Sequence, residues 1–276
     1  MKLSILILCY NCKPLESKTI QSLLNSSVFL SSLGSGINLT IWNNGPEYWT
    51  EKDIAPASLT GVFIKQTLEN KPIGKLYNSF TGSFESDYYL YLDHDTLLNE
   101  KFIYDILTQN SIKIGVPIIR FDKENIFPIC RRQFSNGPFL KKDKVYSIAS
   151  GLLLSKIVVE FISEEYGNTF DNRYAFYGVD TSFFIRLHAL ELCNDITVLP
   201  AILHSLSRLE SEEPNVVKFR TRERSLEAGI TLRNYFSIGR LYGVIRMTLK
   251  SFFLKDGWGG YYILKGFVYG KHPRCN

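Results

Sequence analysis

A short aromatic and apolar segment that ends in acidic residues most constrains how this chain can fold. Tyr88 to Leu92 is apolar without interruption, and Asp93 and Asp95 follow directly with His94 between them. A short unbroken apolar run of this composition favours a strand that is covered on both faces of a sheet. In open α/β sheets, ligands bind outside the carboxyl ends of such strands. We therefore expect Asp93 and Asp95 to lie where a ligand binds.

The two carboxylates indicate a cation site. Carboxylates held this close repel each other unless a cation lies between them. A hard divalent ion such as Mg²⁺ binds a few carboxylates and completes its coordination with phosphate oxygens and water. The alternative is a solvated turn, because Asp and Thr are ordinary loop residues. The segment alone leaves both interpretations open.

The size and composition of the chain fit a globular α/β protein. Its 276 residues suit one large domain, or a catalytic domain with a helical appendage. With 45% hydrophobic and 21% charged residues, the chain can bury a full core. The net charge of +5 suits anionic ligands or an anionic membrane surface. Charge alone is weak evidence for nucleic acid, so we predict no nucleic-acid partner.

The cysteines and the N-terminal segment favour a cytoplasmic protein. The five cysteines are scattered and odd in number, which argues against a disulfide framework and for a reducing compartment. Cys9 and Cys12 have C-x-x-C spacing, but no second pair completes a zinc site. The first apolar run, Leu3 to Cys9, is shorter than a signal peptide requires, and no segment reaches the roughly 18 apolar residues of a membrane span. We interpret Leu3 to Cys9 as the first buried strand.

Apolar strands and amphipathic helices alternate through the first two thirds of the chain. This alternation predicts a mostly parallel sheet with right-handed crossovers. The predicted strands are Lys2 to Leu8, Asn38 to Trp42, Val62 to Lys65, Tyr88 to Leu92, Lys113 to Ile119 and Ile196 to Leu199, and the predicted helices are Ser17 to Phe29, Ile73 to Phe84, Lys101 to Thr108, Lys156 to Tyr166 and Asp180 to Leu192.

Two stretches depart from this pattern. Residues 121–143 contain Pro, Gly, Asn and basic residues with little periodicity, and we interpret them as a long mobile loop. The last part of the chain instead predicts helices rich in Arg and aromatic residues, over Phe219 to Tyr242 and Gly243 to Leu254. We therefore divide the chain into a catalytic domain, residues 1–215, and a helical C-terminal extension, residues 216–276.

The helical extension carries a possible membrane signal. In Leu241 to Leu254, apolar residues recur with Arg246 and Lys250 among them. This pattern is typical of an amphipathic helix that lies on an anionic bilayer. A helix that packs on the catalytic domain with its basic residues in water would show the same pattern, and the sequence leaves the two equally open.

Several polar motifs follow one another in an order that resembles a known family. In chain order they are Tyr10-Asn11, Trp42-Asn-Asn-Gly45, Asn70-x-x-x-Gly74-x-x-x-Asn78, Asp93-His-Asp95, Ser150-Gly151, Phe170-Asp171 with Gly178-Val-Asp180 and Arg186, and His204. This order resembles the family 2 glycosyltransferases over about residues 1–240. The segment Arg233-Asn234-Tyr235 is similar to one that follows the catalytic domain in the bacterial rhamnosyltransferase branch, which the chain resembles most.

The resemblance implies both a fold and a reaction. The implied fold is the α/β fold called GT-A, with a mostly parallel central sheet flanked by helices, followed here by the C-terminal helical extension. The implied reaction is metal-dependent, inverting transfer of a sugar from a nucleoside diphosphate. Mg²⁺ or Mn²⁺ would act as a Lewis acid on the departing diphosphate.

The resemblance also assigns the metal ligands and the base. It implies that Asp95 binds the ion directly, that Asp93 contacts the ribose or supports the metal, and that His204 supplies a further ligand. For His204, an ordinary loop histidine is the alternative. Asp180 is the expected general base toward the acceptor hydroxyl, and a helix N-terminus would favour its ionised form. Asp171 is the rival carboxylate, with an acceptor or structural role.

Further motif residues are expected around the donor. The resemblance places Tyr10 and Asn11 in the nucleotide pocket, with Asn43 where relatives often have an Asp that contacts the base or ribose. The other residues expected to bind the nucleotide sugar are Asn70, Gly74, Asn78, Asp93, His94 and Arg186.

Three of these assignments have alternatives or are less specific. Asn70 can instead cap a helix. Arg186 can bind the diphosphate or simply hold its helix in place. Arg131 and Arg132, in the basic stretch, are further candidates for the donor or acceptor phosphates.

The sequence thus predicts a bacterial glycosyltransferase on the cytoplasmic side of the membrane. We expect rhamnose from a thymidine diphosphate donor, and a saccharide acceptor that is lipid-linked, in O-antigen or capsule synthesis. A galactosyl- or other hexosyltransferase of the same fold stays open. A nucleotidyltransferase-like protein is a more distant alternative, because Tyr10 to Pro14 lacks the glycines of a phosphate loop. A non-catalytic nucleotide-binding protein is the other.

Overall fold

The chain divides into two units. The structure is a computed structural model that describes residues 1–109, 111–205, 214–253 and 258–275. The first unit comprises Met1–Lys71, Tyr77–Thr169 and Arg186–Ser205, and the second comprises Pro72–Leu76, Phe170–Ile185 and Leu206–Asn276. The predicted boundary at residue 215 adjoins residues 206–213, which lie outside the described residues, so that boundary stays a prediction.

Twelve strands and ten α-helices are found among the described residues. The strands are β1 (Leu3–Cys9), β2 (Ile37–Asn43), β3 (Val62–Gln66), β4 (Tyr88–Asp93), β5 (Thr96–Leu97), β6 (Ile114–Phe121), β7 (Glu124–Phe127), β8 (Ile129–Cys130), β9 (Gln133–Phe134), β10 (Val145–Tyr146), β11 (Leu152–Ser155) and β12 (Ile196–His204). The helices are α1 (Lys18–Leu24), α2 (Ser27–Ser32), α3 (Glu51–Ile54), α4 (Ile73–Thr81), α5 (Glu100–Thr108), α6 (Lys156–Tyr166), α7 (Val179–Ala189), α8 (Pro214–Asn234), α9 (Ile238–Phe253) and α10 (Trp258–Tyr269).

One large mixed sheet forms the core of the first unit. Its strands lie in the order β3-β2-β1-β4-β11-β6-β12-β5, and β7 pairs with β6. Strands β3, β2, β1 and β4 run parallel, as do β6 and β12, whereas β11 runs antiparallel between β4 and β6. The predicted α/β fold with a central sheet flanked by helices is confirmed. The sheet is mixed because no crossover helix lies between β6 and β11, so the chain can return in the antiparallel direction.

The predicted first strand lies near the centre of this sheet. All seven residues of β1 are buried, with Leu3 beside Ile37 of β2 on one side and Tyr88 of β4 on the other. The aromatic residues of β4 pack on α4, where the rings of Phe80 and Tyr91 meet edge to face at 5.7 Å. Aromatic pairs of this geometry stabilise a core beyond the area that they bury. Strand β4 is therefore held firmly up to the acidic residues that follow it.

Two local predictions for the first unit are wrong. The helix predicted over Ser17 to Phe29 is two helices, because the Ser26 side chain accepts a hydrogen bond from the Phe29 N–H and starts α2. The stretch 121–143, predicted as a loop, contains β7, β8 and β9, and β8 lies between β9 and β10 in a second, three-stranded sheet. Strands this short carry too few residues to show an alternating pattern.

Three helices make up most of the second unit. Helices α8 and α10 approach closely because each has a glycine at their contact, Gly229 on α8 and Gly266 on α10. A Cβ at Gly229 would lie 2.0 Å from the Ile263 carbonyl oxygen. The helix predicted over Phe219 to Tyr242 is instead α8 and the start of α9, and Leu254 of the following prediction lies outside the described residues. Among the described residues, no helix combines the length and the apolar character that crossing a membrane requires.

The ion pair between Asp171 and Arg173 is hydrogen-bonded to the end of α8 and the residue that follows it. The Arg173 guanidinium donates to both carboxylate oxygens of Asp171, and the Tyr235 hydroxyl donates to Asp171 Oδ2 at 2.7 Å. Arg173 also donates to Asn234 Oδ1, and Arg233 donates to the carbonyls of α10. Burial raises the pKa of Asp171, but the bonds from Arg173 and Tyr235 outweigh it, and the net pKa lies below the ordinary value. Asp171 and the Arg-Asn-Tyr segment therefore have a structural role.

Replacing Asp171 should show this role as a pH-dependent stability. Asp171→Asn should lower the free energy of unfolding at neutral pH by about 2 kcal/mol, because the amide cannot accept the same charge-assisted bonds. Since folding lowers the pKa of Asp171, its contribution is fully present above the ordinary Asp value and is lost as pH falls through the lower folded value. Denaturant unfolding at a series of pH values should show the gap to wild type narrowing below about pH 4. A gap that stays constant into acid would contradict the assignment, and Asp122→Asn, on a surface turn, is the control.

Candidate metal and nucleotide site

A two-residue strand pair brings His204 to the end of β4. In register, Thr96 lies beside His204 and Leu97 beside Leu203. Strand β12 continues past Pro200 by shifting its register against β6 between Leu199 and Ile202. The strand predicted to stop at Leu199 therefore extends to His204, because a bulge accommodates the missing donor of proline. His204 ends a strand rather than lying in a loop.

Asp93, Asp95 and His204 converge within the first unit. His204 Nδ1 lies 3.4 Å from Asp95 Oδ1, and His204 Nε2 lies 4.0 Å from Asp93 Oδ2. One ligand atom from each residue can be chosen so that all three lie within 4.8 Å of one another. The His204 side chain is 9% exposed, whereas those of Asp93 and Asp95 are 35% and 34% exposed. The His204 ring is thus packed against the protein, whereas the two carboxylates are partly exposed to solvent.

This geometry fits a divalent ion. Two ligands of an octahedral ion with bonds of about 2.1 Å lie about 3.0 Å apart when adjacent and about 4.2 Å apart when opposite. Ligand atoms that lie within 4.8 Å of one another need only small side-chain rotations to reach those values. Two carboxylates balance the charge of the ion, and three protein ligands leave positions for phosphate oxygens and water. Mg²⁺ and Mn²⁺ both accept this ligand set.

A chain of hydroxyl groups orients His204. The Thr96 Oγ1 atom lies 2.8 Å from His204 Nδ1 and 2.7 Å from Ser150 Oγ, which in turn accepts the Asp93 backbone N–H at 3.0 Å. If Nδ1–H donates to Thr96, then Nε2 keeps its lone pair on the side of Asp93. Metal-binding histidines commonly donate their other N–H in this way, which fixes the ring. Thr96 and Ser150 therefore position a ligand without touching the ion.

The backbone of the acidic turn is held by α1 and its cap. The Thr19 hydroxyl bonds to the backbone of both Asp93 and Thr96, and the Ser17 hydroxyl donates to the His94 carbonyl. The sequence analysis did not single out Ser17 or Thr19. Ser17 reads as an ordinary helix cap, and it does cap α1 through the Ile20 N–H. No local signal shows that the same residues face the turn 77 positions later.

Glycine is required next to Ser150. Gly151 has a left-handed backbone, with φ of +86°, and a Cβ there would lie 2.5 Å from Pro117 Cγ. The Gly151 N–H also donates to the Tyr91 carbonyl at 2.7 Å. A side chain at this position would push Ser150 away from Thr96 and Asp93. The Ser-Gly motif thus supports the metal residues.

A pocket lies beside the carboxyl ends of β1 and β2. Its volume is about 130 Å³, and it is lined by Asn11, Cys12, Lys13, Glu16, Gly45, Glu47 and Trp49. The Trp49 indole N–H donates to the Cys12 carbonyl, and the Asn11 N–H donates to the Gly45 carbonyl at 2.7 Å. Tyr10 is exposed next to Asn11. Lys13 and Trp49 line the pocket although the sequence analysis did not select them.

The two cysteines near this pocket are thiols at neutral pH. Burial, followed by the charges of Glu16 and Asp95, raises the pKa of Cys12 to about 11. Burial also raises the pKa of Cys9 well above its ordinary value. The raised pKa of each thiol favours its neutral form over the reactive thiolate. Glu16 lines the pocket, and the hydroxyl of the next residue, Ser17, donates to the His94 carbonyl at 2.8 Å, so the acidic turn lies close to the pocket.

Asn43 and Asn44 shape the walls of this region. Asn43 is 1% exposed; its amide donates to the Glu47 carbonyl and to Gln66 Oε1, and its oxygen accepts the Gly45 N–H. Both amide hydrogens of Asn43 are thus used within the fold, and its contact with the base or ribose stays a prediction. Asn44, which the sequence analysis passed over, clamps the N–H and the carbonyl of Lys71.

Arg186 is buried within the first unit. It is 2% exposed, and its Nη1 donates to the carbonyls of Asn168 and Thr169 while its guanidinium covers the Tyr166 ring at 4.6 Å. This geometry favours the structural alternative for Arg186 over a diphosphate contact. Arg131 and Arg132 are both exposed on the turn between β8 and β9, and Arg131 pairs with Asp143 at 3.1 Å.

The remaining predicted residues lie in different parts of the chain. Asn70 has a left-handed backbone, with φ of 48°, and lies three residues before α4 begins. Asn78 is half-buried on α4, and the His94 side chain is half-buried between the two carboxylates in sequence. Gly74 and Asp180 belong to the second unit, where Asp180 lies in the first turn of α7.

Comparison with known proteins identifies the fold. No protein-family model and no curated protein matches the sequence. The structure is similar to TarS from S. aureus, with a TM-score of 0.59 and 14% identity over all of this chain and 50% of TarS. The chain has a glycosyltransferase fold. It spans half the length of that TarS chain.

Two similar structures contain ligands. TarS residues 1–349 in complex with UDP-GlcNAc give a TM-score of 0.58 at 14% identity, covering all of this chain and 83% of that one. The mannosyltransferase PcManGT from Pyrobaculum calidifontis, in complex with GDP-Man and Mn²⁺, gives 0.52 at 9% identity, covering 97% of this chain and 74% of that one. At these identities, the similarity establishes the fold alone.

Removing the Thr96 hydroxyl should weaken metal binding. In Thr96→Val, His204 loses the partner of its Nδ1, and affinity for Mn²⁺ should fall about 10-fold to 100-fold. Titration of Mn²⁺ followed by electron paramagnetic resonance measures the affinity without any assay of turnover. Thr108→Val, at the exposed end of α5, is the matched control and should leave the affinity unchanged. Equal affinities in both variants would rule out the positioning role.

Proposed function

We propose that this protein is a glycosyltransferase that uses a nucleoside diphosphate sugar together with Mg²⁺ or Mn²⁺. The observation that carries the proposal is the convergence of Asp93, Asp95 and His204 at the carboxyl end of β4. A pocket for part of the donor lies close by, because Ser17, which follows the pocket residue Glu16, donates to the His94 carbonyl. Proteins of the same fold have been solved with UDP-GlcNAc and with GDP-Man and Mn²⁺, which supports this class of ligand.

Each residue of the metal group has a separate task in this proposal. Asp95 and His204 bind the ion, and Asp93 completes the ligand set or contacts the ribose. When bound, the ion neutralises the charge that develops on the departing diphosphate. Thr96 and Ser150 keep His204 oriented, so the ligands need little rearrangement when the donor binds.

Asp180 is the proposed general base of an inverting, family 2 type reaction. It would accept the proton of the acceptor hydroxyl as that oxygen attacks the sugar carbon from the side opposite the diphosphate. Its place in the first turn of α7 favours the ionised form that this role needs. The rival, Asp171, is engaged by Arg173 and Tyr235 and therefore has no such task.

We further propose the sugar and the acceptor from the family resemblance. The motif order, which includes Arg233-Asn234-Tyr235, favours rhamnose from a thymidine diphosphate donor. The proposed acceptor is a lipid-linked saccharide of O-antigen or capsule synthesis at the inner face of the cytoplasmic membrane. A galactosyl- or other hexosyltransferase is the second candidate. A non-catalytic nucleotide-binding protein would not need His204 to meet two carboxylates.

Nucleotide binding should depend on the metal. Thermal unfolding with UDP, GDP or thymidine diphosphate should show stabilisation by one of them when Mn²⁺ or Mg²⁺ is present, worth about 2.7 kcal/mol at 100 times its Kd. Asp95→Asn should abolish the metal-dependent part, whereas Asp122→Asn, on a surface turn, should retain it. Stabilisation that needs no metal, or that survives Asp95→Asn, would refute the proposed site. The preferred nucleotide identifies the base of the donor.

Asp180 should separate catalysis from binding. Asp180→Asn should lower kcat for sugar transfer by about 10²-fold to 10⁴-fold, because no carboxylate remains to take the acceptor proton. Donor binding, measured by the same thermal shift, should stay near the wild-type value. Parallel loss of turnover and of donor binding would show instead that Asp180 is structural.

A further inference from the structure

Helix α9 exposes an apolar stripe to solvent. Ile238, Tyr242, Ile245 and Leu249 recur at helical spacing and are 80%, 69%, 48% and 54% exposed. On a helix these positions fall within one narrow face, about 16 Å long. None of the described side chains of α9 is buried. The apolar stripe therefore faces solvent, whereas a helix that only packs on a protein core turns its apolar residues inward.

The opposite face of α9 packs on the second unit. Arg240, Val244 and Thr248 are half-buried at four-residue spacing. Arg240 donates to the Tyr235 carbonyl, and Thr248 Cγ2 lies 3.3 Å from the position of a Cβ on Gly260 of α10. The outward stripe is thus the consequence of a defined packing, because the helix uses its other face to contact its neighbours.

Helix α10 repeats this arrangement. Tyr261, Leu264 and Val268 are exposed on one side, at spacings of three and four residues. Ile263 and Gly266, on the other side, are buried against α8. Apolar side chains exposed at regular spacing on two adjacent helices indicate a surface that binds a partner.

The charge around these stripes is strongly basic. Residues 228–276 contain eight Lys or Arg residues and a single acidic residue, Asp256. The basic residues are Arg233, Arg240, Arg246, Lys250, Lys255, Lys265, Lys271 and Arg274. Arg246 is exposed beside the apolar stripe of α9. The partner must therefore combine an apolar layer with negative charge.

We propose that α9 and α10 form a docking surface for an anionic lipid bilayer. The apolar stripes enter the boundary between headgroups and acyl chains, and Arg246, exposed beside the stripe of α9, meets lipid phosphates. A second copy of the chain would satisfy the apolar stripe but would bring two basic segments together. Nucleic acid would satisfy the charge but not the stripe. This inference stands without the proposed reaction, because its residues lie in α9 and α10.

Vesicle binding tests the surface. The wild-type protein should co-sediment with vesicles of phosphatidylcholine and phosphatidylglycerol in equal parts, much more than with phosphatidylcholine alone, and added salt should weaken the binding. Ile245→Asp should lower the partition coefficient about tenfold or more, since it replaces an apolar group that enters the bilayer with a charge of the same sign as the lipid. Arg246→Glu should lower it about tenfold while acting only through charge.

Matched controls separate the surface from general effects. Ile157→Asp makes the same substitution at a residue of α6 that is 74% exposed, and it should bind vesicles like wild type. Circular dichroism and thermal unfolding show that each variant is folded before binding is compared. Equal binding by Ile245→Asp and Ile157→Asp would overturn the proposal. Equal binding of the wild-type protein to neutral and anionic vesicles would also overturn it. So would a wild-type protein that does not bind vesicles but forms a dimer that Ile245→Asp dissociates.

Discussion

The pairing of β5 with the end of β12 is the interaction on which the candidate site depends. Only two residues of each strand take part, yet this pairing places Thr96 beside His204 and therefore brings a histidine to the acidic turn after β4. Without the register shift at Pro200, β12 would keep its register with β6, and His204 would not lie beside Thr96. The short pair is stabilised from the other side by Thr19, whose hydroxyl bonds to both the N–H and the carbonyl of Thr96. This two-residue strand pair thus determines whether Asp93, Asp95 and His204 come together.

The hydroxyl groups behind the ligands give the site its preorganisation. Thr96 and Ser150 connect His204 Nδ1 to the backbone of Asp93, so the ring and the turn move as one group. Gly151 is needed in the same place because a side chain would collide with Pro117. The carboxylates remain partly exposed and can reorganise around an ion. A rigid histidine with two adjustable carboxylates suits the proposed role, in which the site accepts and releases a diphosphate in each cycle.

Sequence analysis was sufficient for buried strands such as β1 and β4 and for the acidic turn, but not for the strands and side chains that surround them. The apolar runs of β1 and β4 are unambiguous, because buried strands need continuous apolar residues. The antiparallel β11 and the extension of β12 to His204 depend on contacts between segments that are far apart in sequence. The hairpin of β8 and β9 is local, but its strands are too short to show an alternating pattern. For the same reason, Ser17 looks only like a helix cap, and Asn43 looks like a ligand contact although its amide is used within the fold. The polar residues in the sequence indicate that a binding site exists, but their hydrogen-bond partners in the fold determine which of them face it.

Diffraction at the manganese absorption edge, from crystals grown with Mn²⁺ and the nucleoside diphosphate that the protein prefers, tests the central claim most directly. The account predicts an anomalous peak about 2.1 to 2.3 Å from an oxygen of Asp95 and a nitrogen of His204, with diphosphate oxygens completing the coordination. A diphosphate bound without any ion at Asp93, Asp95 and His204, or an ion bound by other residues, would contradict it.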